Sequence, residues 1–272
     1  MIQRKIPSTG EAIPVIGLGT WQTFDVSPSS NLEPLKQVLS TMRTAGGTVI
    51  DSSPMYGRSE EVIGVLTAND STGQYFYATK VWTQGQEEGI NQMENSCRKF
   101  QRPVIDLIQI HNLVDWKTHL KTLRNWKEEG RIRYIGVTHY TDSMHDQLAQ
   151  IIKSEKIDFV QFNYSIAHRS AEKNLIPTAN EYGVATLINR PFGEGNLFGQ
   201  VKEKQLPAWA AEYNIKNWGQ FFLKFIISNP DVTCVIPATS DPSHASLNFE
   251  AGIEPLPDDS IRKKMIDWFK SL

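Results

Sequence analysis

Eight times along this chain a short run of β-branched and aromatic residues gives way to a longer segment with apolar positions at helical spacing. That alternation limits the fold more than any other feature. A turn signal at Ser8-Thr9-Gly10 makes residues 3–14 a small hairpin. Strand-like runs then follow at 15–21, 48–50, 75–80, 105–110, 134–137, 159–162, 185–188 and 233–236. Between them lie helical stripes such as Leu35, Val38, Leu39 and Met42, or Trp116, Leu120, Leu123 and Trp126, and predicted helices at 59–66, 171–182 and 243–250. Glycines punctuate their ends, as at Gly46-Gly47, Gly130 and Gly183. A longer polar loop separates the seventh strand from the helical face of Trp218, Phe221, Phe222 and Phe225. Eight strand-then-helix units with short connections predict an α/β fold, a (β/α)8 TIM barrel spanning 1–272 as one domain. The N-terminal β-hairpin plugs one end of it. A last helix at 258–272, apolar at Ile261, Met265, Ile266 and Phe269, is an accessory element outside the barrel.

Composition narrows the function classes. A net charge of -2 and a pI near 6.3 give no basic surface for nucleic acid. No apolar run has the length of a membrane span, and no apolar segment follows Met1 as in an export signal. Cys97 falls in a helical stripe and Cys234 in an apolar strand, so both read as packing residues. A cytoplasmic enzyme is the expectation, although a presequence already removed would leave no trace.

In a parallel barrel the residues that end each strand converge on one mouth, where chemistry sits. Four of them stand out here: Asp51, and Tyr56 in the loop behind it, Lys80, and His111. Singly, each has a plain structural reading as a loop cap, a packed ring, a solvated charge or a core histidine. Together they form a proton-transfer set. A tyrosine of pKa about 10 is a poor acid at neutral pH unless a cation stabilises its phenolate. Lys80 supplies the cation, Asp51 orients it, and His111 offers a hydrogen bond to a substrate oxygen.

Asp51 and Tyr56 stand in the run Asp51-Ser52-Ser53-Pro54-Met55-Tyr56-Gly57, Lys80 in ATKVW and His111 in LIQIHN. With GLGTW, GRIRYIGVTHY, FVQFNYS and IPATSDPSHASLNFEA, these contexts make the chain resemble the aldo-keto reductase superfamily along nearly its whole length. The resemblance implies reduction of an aldehyde or ketone with NADPH, NADH being possible, no metal, and a small-molecule carbonyl as partner. It makes Tyr56 the general acid. Cofactor contacts carried over from it are Gly19, Thr20, Trp21 and Asp51; Thr138, His139 and Gln161 near the carboxamide; Asn189, Arg190, Pro191, Phe192 and Gly193 after the seventh strand; and Pro237, Ala238, Thr239, Ser240, His244 and Asn248 around the ribose and adenine. A nucleotide-sensing regulatory subunit of the same fold, acting through a protein partner, is the alternative.

The chain departs from the family pattern at several of these positions. His139 replaces a common asparagine, and Asn189 stands where many relatives stack an aromatic ring on the nicotinamide. Arg190 reads equally as a diphosphate contact or a structural ion pair, and Asn248 as an adenine contact or a helix-surface amide. At Ala238 and His244 the two fixed charges that embrace a 2′-phosphate are missing, which leaves Thr239, Ser240 and a helix N-terminus as donors. Trp21 and Trp82 are candidate walls of the substrate pocket, Trp82 with packing as an even alternative. His119, His145 and His168 lack metal-ligand spacing and carry no assigned role.

Overall fold

The computed structural model describes residues 1–69 and 75–272. The chain opens with an antiparallel hairpin, β1 (Gln3–Lys5) and β2 (Ala12–Pro14). Eight parallel strands follow in sequence order: β3 (Leu18–Gly19), β4 (Val49–Asp51), β5 (Phe76–Val81), β6 (Ile105–His111), β7 (Ile132–Thr138), β8 (Phe159–Asn163), β9 (Ala185–Asn189) and β10 (Cys234–Val235). Parallel bridges from Ile16 to Val235 and from Gly19 to Ala238 join the first strand to the last. Gly17 donates to the Val235 carbonyl at 2.8 Å and Val235 to that of Val15 at 2.9 Å, which completes the ring. The glycines make the closure possible. A Cβ at Gly17 would lie 2.9 Å from the Val49 carbonyl, and one at Gly19 2.8 Å from that of Ile236. The close approach is therefore by backbone.

Helices α1 (Glu33–Thr44), α2 (Ser59–Thr67), α3 (Gln86–Phe100), α4 (Trp116–Glu128), α5 (His145–Ser154), α6 (Leu175–Glu181), α7 (Asn196–Gln200), α8 (Trp218–Ile227) and α9 (Pro242–Glu250) alternate with the strands. Their apolar faces pack on the outward strand residues, among them Ile50, Ile108, Ile135, Val160 and Ile188. Three expectations are corrected. The predicted helix at 171–182 is a 3-10 turn, Ser170–Lys173, and then α6; Asn174 breaks the run, and Pro177, with no N–H to donate, fits only the first helical turn. The long loop after β9 contains α7 and a 3-10 turn, Ala208–Tyr213. The first predicted strand, 15–21, shrinks to Leu18–Gly19 with one bridge before it, and Trp21 lies in a turn.

Along the barrel interior the chemistry changes with height. At the strand starts Val49, Phe76, Leu107, Tyr134 and Phe159 form an apolar layer that Ile6 and Ile13 of the hairpin close from below. Two or four residues further along, the inward positions become Asp51, Lys80, Gln109, His111 and Gln161, all buried. A period of two carries the same strand face from plug to site. Outside, α10 (Asp259–Lys270) buries only Met265, and Arg262 ties it to the Tyr164 hydroxyl at 2.8 Å and to Glu172 at 3.2 Å. Among the described residues no helix is long and apolar enough to cross a membrane.

Candidate active site

Asp51 ends β4, Lys80 is the last inward residue of β5, and His111 ends β6. The Lys80 ammonium donates to Asp51 Oδ2 at 2.7 Å and to the Ser52 carbonyl at 2.6 Å. Gln109 Nε2 donates to Asp51 Oδ1 at 3.3 Å. Lys80 Nζ also lies 5.1 Å from the centre of the Tyr56 ring, and the His111 ring meets that ring edge-on at 5.9 Å. The four predicted catalytic residues are thus brought together.

The loop that carries Tyr56 is held at both ends. Tyr56 N–H donates to the Ser53 carbonyl at 2.9 Å, and the Ser59 hydroxyl donates to the Tyr56 carbonyl at 2.8 Å. Gly57 turns the chain at φ 60°, where a Cβ would meet the Asp25 carboxylate at 2.2 Å, so only glycine fits. Asp25 accepts the Arg58 N–H at 2.9 Å and fixes the turn.

Burial and charge set the protonation states. Burial works against the Lys80 ammonium, but the attraction of Asp51, and then of Tyr56, outweighs it and its pKa ends above the ordinary lysine value. Burial raises the Asp51 carboxyl, with Lys80 pulling the other way. Tyr56 is also raised by burial against the pull of Lys80, so the phenol carries its proton at neutral pH. His111 is pushed down to about 2, by burial first and then by Lys80 and His139, and the imidazole is neutral. The arrangement holds one acidic proton, one fixed cation and one neutral ring at a single mouth.

The predicted cofactor residues fall into groups. Thr20 donates to the Asp51 carbonyl at 2.9 Å, which ties the first strand's exit to the site. Thr138 and Gln161 pair across β7 and β8, next to His111 across β6 and β7. Gln161 helps keep Asp51 charged, yet its Nε2 lies outside hydrogen-bond geometry with every described group, as does Asn189 Oδ1. His139 folds back on its own loop, its Nδ1 accepting from the Tyr140 and Thr141 N–H groups at 3.0 and 3.3 Å. Arg190 pairs with Glu194 at 2.7 Å and lies 4.2 Å over the Tyr140 ring. Pro191 and Gly193 stand in the same turn, and Phe192 packs on Phe198 at 5.0 Å between ring centres. A cavity of about 380 Å³ beside this turn is lined by Tyr140, Asn163, Arg190 and Gly193. A larger one, about 560 Å³ between Ala167 and Phe269, holds none of the catalytic residues.

Around the seam, Ala238 bridges to Gly19 behind Pro237. The expected free donors at the start of α9 are already engaged: Asp241 Oδ1 accepts from Ser243 N–H at 2.7 Å and His244 N–H at 3.3 Å, and Thr239 Oγ1 accepts the Asp241 N–H at 3.1 Å. Ser240 and His244 are exposed beside it. Asn248 is buried, which corrects the helix-surface alternative. Trp21 and Trp82 are 39% and 42% exposed at the mouth, and Trp82 lies 6.4 Å from the His111 ring. His119 Nε2 donates to the Thr83 carbonyl at 2.7 Å, and no metal-binding group occurs among the described residues.

Sequence reasoning passed over Gln109, Ser52 and Ser53. Gln109 was within reach, since it lies two residues before His111 on the same strand face. Ser52 acts through its backbone carbonyl, which no side-chain pattern announces.

A barrel with such a proton-handling set at its mouth is equipped for general acid–base chemistry. The aldo/keto reductase family model matches residues 15–265, and the chain belongs to that family. It is 28% identical over 218 residues to aldo-keto reductase YhdN of Bacillus subtilis, a match covering 73% of this chain and 64% of that relative, just under two thirds of its length. It is 26% identical to the NADH-specific methylglyoxal reductase of Escherichia coli, covering 76% of this chain and 73% of the relative. Among solved structures, the aldo-keto reductase from Klebsiella pneumoniae in complex with NADPH shares the fold at TM-score 0.81 and 21% identity, with 99% of this chain and 96% of that one aligned.

Proposed function

We propose that this chain reduces an aldehyde or ketone to an alcohol at the barrel mouth, using NADPH or NADH, with Tyr56 as the general acid. The observation that carries the reading is the convergence of Tyr56 and His111 on a buried Lys80–Asp51 ion pair of 2.7 Å. A protonated phenol beside an ammonium that cannot relax into water is poised to give up its proton to a developing alkoxide. Lys80 stabilises the phenolate that remains, and Asp51 with the Ser52 carbonyl keeps the ammonium aimed. A neutral His111 places a second N–H donor near the same oxygen.

The residues present fit a nicotinamide cofactor. Asn189 Oδ1 is buried at the end of β9 and Gln161 Nε2 two residues before the end of the adjacent β8, neither in hydrogen-bond geometry with a described group. One amide donor and one acceptor suit a carboxamide, with Thr138 beside them. When bound, that cofactor supplies the hydride for the carbonyl carbon. A relative named as NADH-specific and a solved structure holding NADPH support both forms. Asp241 sets a negative charge where the resemblance places the ribose 2′ position, and its caps occupy the helix donors. We assign the whole reaction to one barrel domain. Both cysteines are free thiols, in keeping with a reducing cytoplasmic setting.

The test follows loss of NADPH and of NADH absorbance with a panel headed by methylglyoxal and including aromatic aldehydes and bulky ketones. Turnover of at least one carbonyl is expected. Tight cofactor binding with no turnover across the panel contradicts the proposal and favours a nucleotide-sensing role.

A further inference from the structure

A neutral histidine carries one proton on either of two nitrogens, and only the correct choice makes His111 a donor toward the site. One hydroxyl decides between them. Ser53 Oγ lies 3.1 Å from His111 Nδ1 and is fully buried. The same oxygen already accepts the Met55 N–H at 3.3 Å, which fixes the side chain against the start of its loop. Among the described residues no carbonyl, carboxylate or amide oxygen accepts the Ser53 proton, so Nδ1 is its one acceptor. The reverse arrangement would have Ser53 accept two N–H groups and leave its own O–H buried without a partner. A stranded donor of that kind costs more than a hydrogen bond contributes.

We propose that Ser53 is a positioning residue: its hydroxyl donates to His111 Nδ1 and locks the imidazole as the Nε2–H tautomer. His111 Nε2 has no hydrogen-bond partner among the described residues, and the ring stands edge-on to Tyr56 with Trp82 on another side. Its N–H is therefore the donor left for a carbonyl oxygen beside the Tyr56 hydroxyl. Without Ser53 the ring samples both tautomers, and one of them turns a lone pair on that oxygen. This role rests on the proposed reductase reading for its consequence in turnover, but the tautomer itself does not depend on it.

The experiment is 15N-histidine labelling with two-bond proton–nitrogen correlation, the His111 signals being assigned among six histidines by comparison with His111→Asn. Wild-type protein should show a protonated Nε2 and a bare Nδ1. Ser53→Ala should show mixed tautomers and lose about tenfold in kcat with the cofactor Kd unchanged. Ser53→Thr, which keeps the hydroxyl, should restore both. In the His111→Asn background, Ser53→Ala should cost nothing further. A wild-type ring protonated at Nδ1, or a Ser53→Ala spectrum identical to wild type, overturns the assignment. A mixed tautomer with unaltered kcat overturns its link to turnover. A complete absence of turnover in wild type would instead count against the reductase reading, while the spectrum still decides the tautomer.

Discussion

Replacing Lys80 with Met removes one half of an ion pair whose side chains are 1% and 3% exposed and 2.7 Å apart. Methionine fills much of the same space, so the loss is electrostatic rather than a cavity. Asp51 keeps only Gln109 at 3.3 Å and the influence of Gln161. Breaking a buried pair from one side costs about 3–5 kcal/mol, because the remaining charge has neither water nor partner. The double replacement Lys80→Met with Asp51→Leu should cost less, about 1–3 kcal/mol, chiefly for stranding Gln109 Nε2. Urea denaturation of the three proteins measures this. The single variant should also recover part of its deficit at lower pH. Burial already raises the Asp51 carboxyl, and with Lys80 gone its folded pKa lies well above the ordinary 3.8. A raised carboxyl contributes stability that is present at low pH and lost as pH rises. Removal of Lys80 also relieves His111, which acts in the same direction. A single variant as stable as wild type, or a double variant no better than the single, would refute the buried-pair account.

His111, lowered from 6.5 to about 2, contributes stability that is present above pH 6.5 and lost as pH falls toward 2. Wild type should lose about 2 kcal/mol between pH 7 and pH 5 from this group, and His111→Gln should be spared that part; equal acid sensitivity in pH-resolved denaturation would contradict it. Gly17→Ala should destabilise by about 1–3 kcal/mol, because the added Cβ meets both the carbonyl and the Cβ of Val49 in the adjacent strand, as melting curves will show. Asp241→Asn retains the helix cap but removes its charge. It should tighten NADPH relative to NADH several-fold in fluorescence titration, and an unchanged ratio would place the 2′ position elsewhere.

How much of this was legible beforehand follows from what each feature depends on. Strand and helix order came from periodicity, which burial imposes directly, so Phe76–Val81 and Trp116–Glu128 stood close to their expected places. The edges of Leu18–Gly19 and Cys234–Val235 did not, since pairing there is limited by closure between distant segments. Asp51, Lys80 and His111 were readable because each interrupts or ends an apolar strand run, and Tyr56 because it stands in the loop just behind Asp51. The Arg190–Glu194 pair and the Asp241 cap of α9 were not. Whether a guanidinium meets Glu194 or a ligand, and whether Asp241 or a phosphate takes the Ser243 N–H, depends on local loop geometry that residue type leaves open. Ser53 was hidden for the same reason, being 58 residues from its partner in sequence.

The most direct test of the central claim is Tyr56→Phe, which deletes the proposed proton donor and leaves the ring beside Lys80. Multiple-turnover reduction of the best carbonyl should fall to background, while fluorescence titration of NADPH and NADH gives Kd values close to wild type. Turnover within a few-fold of wild type would contradict the account, because the alkoxide would then be drawing its proton from another group.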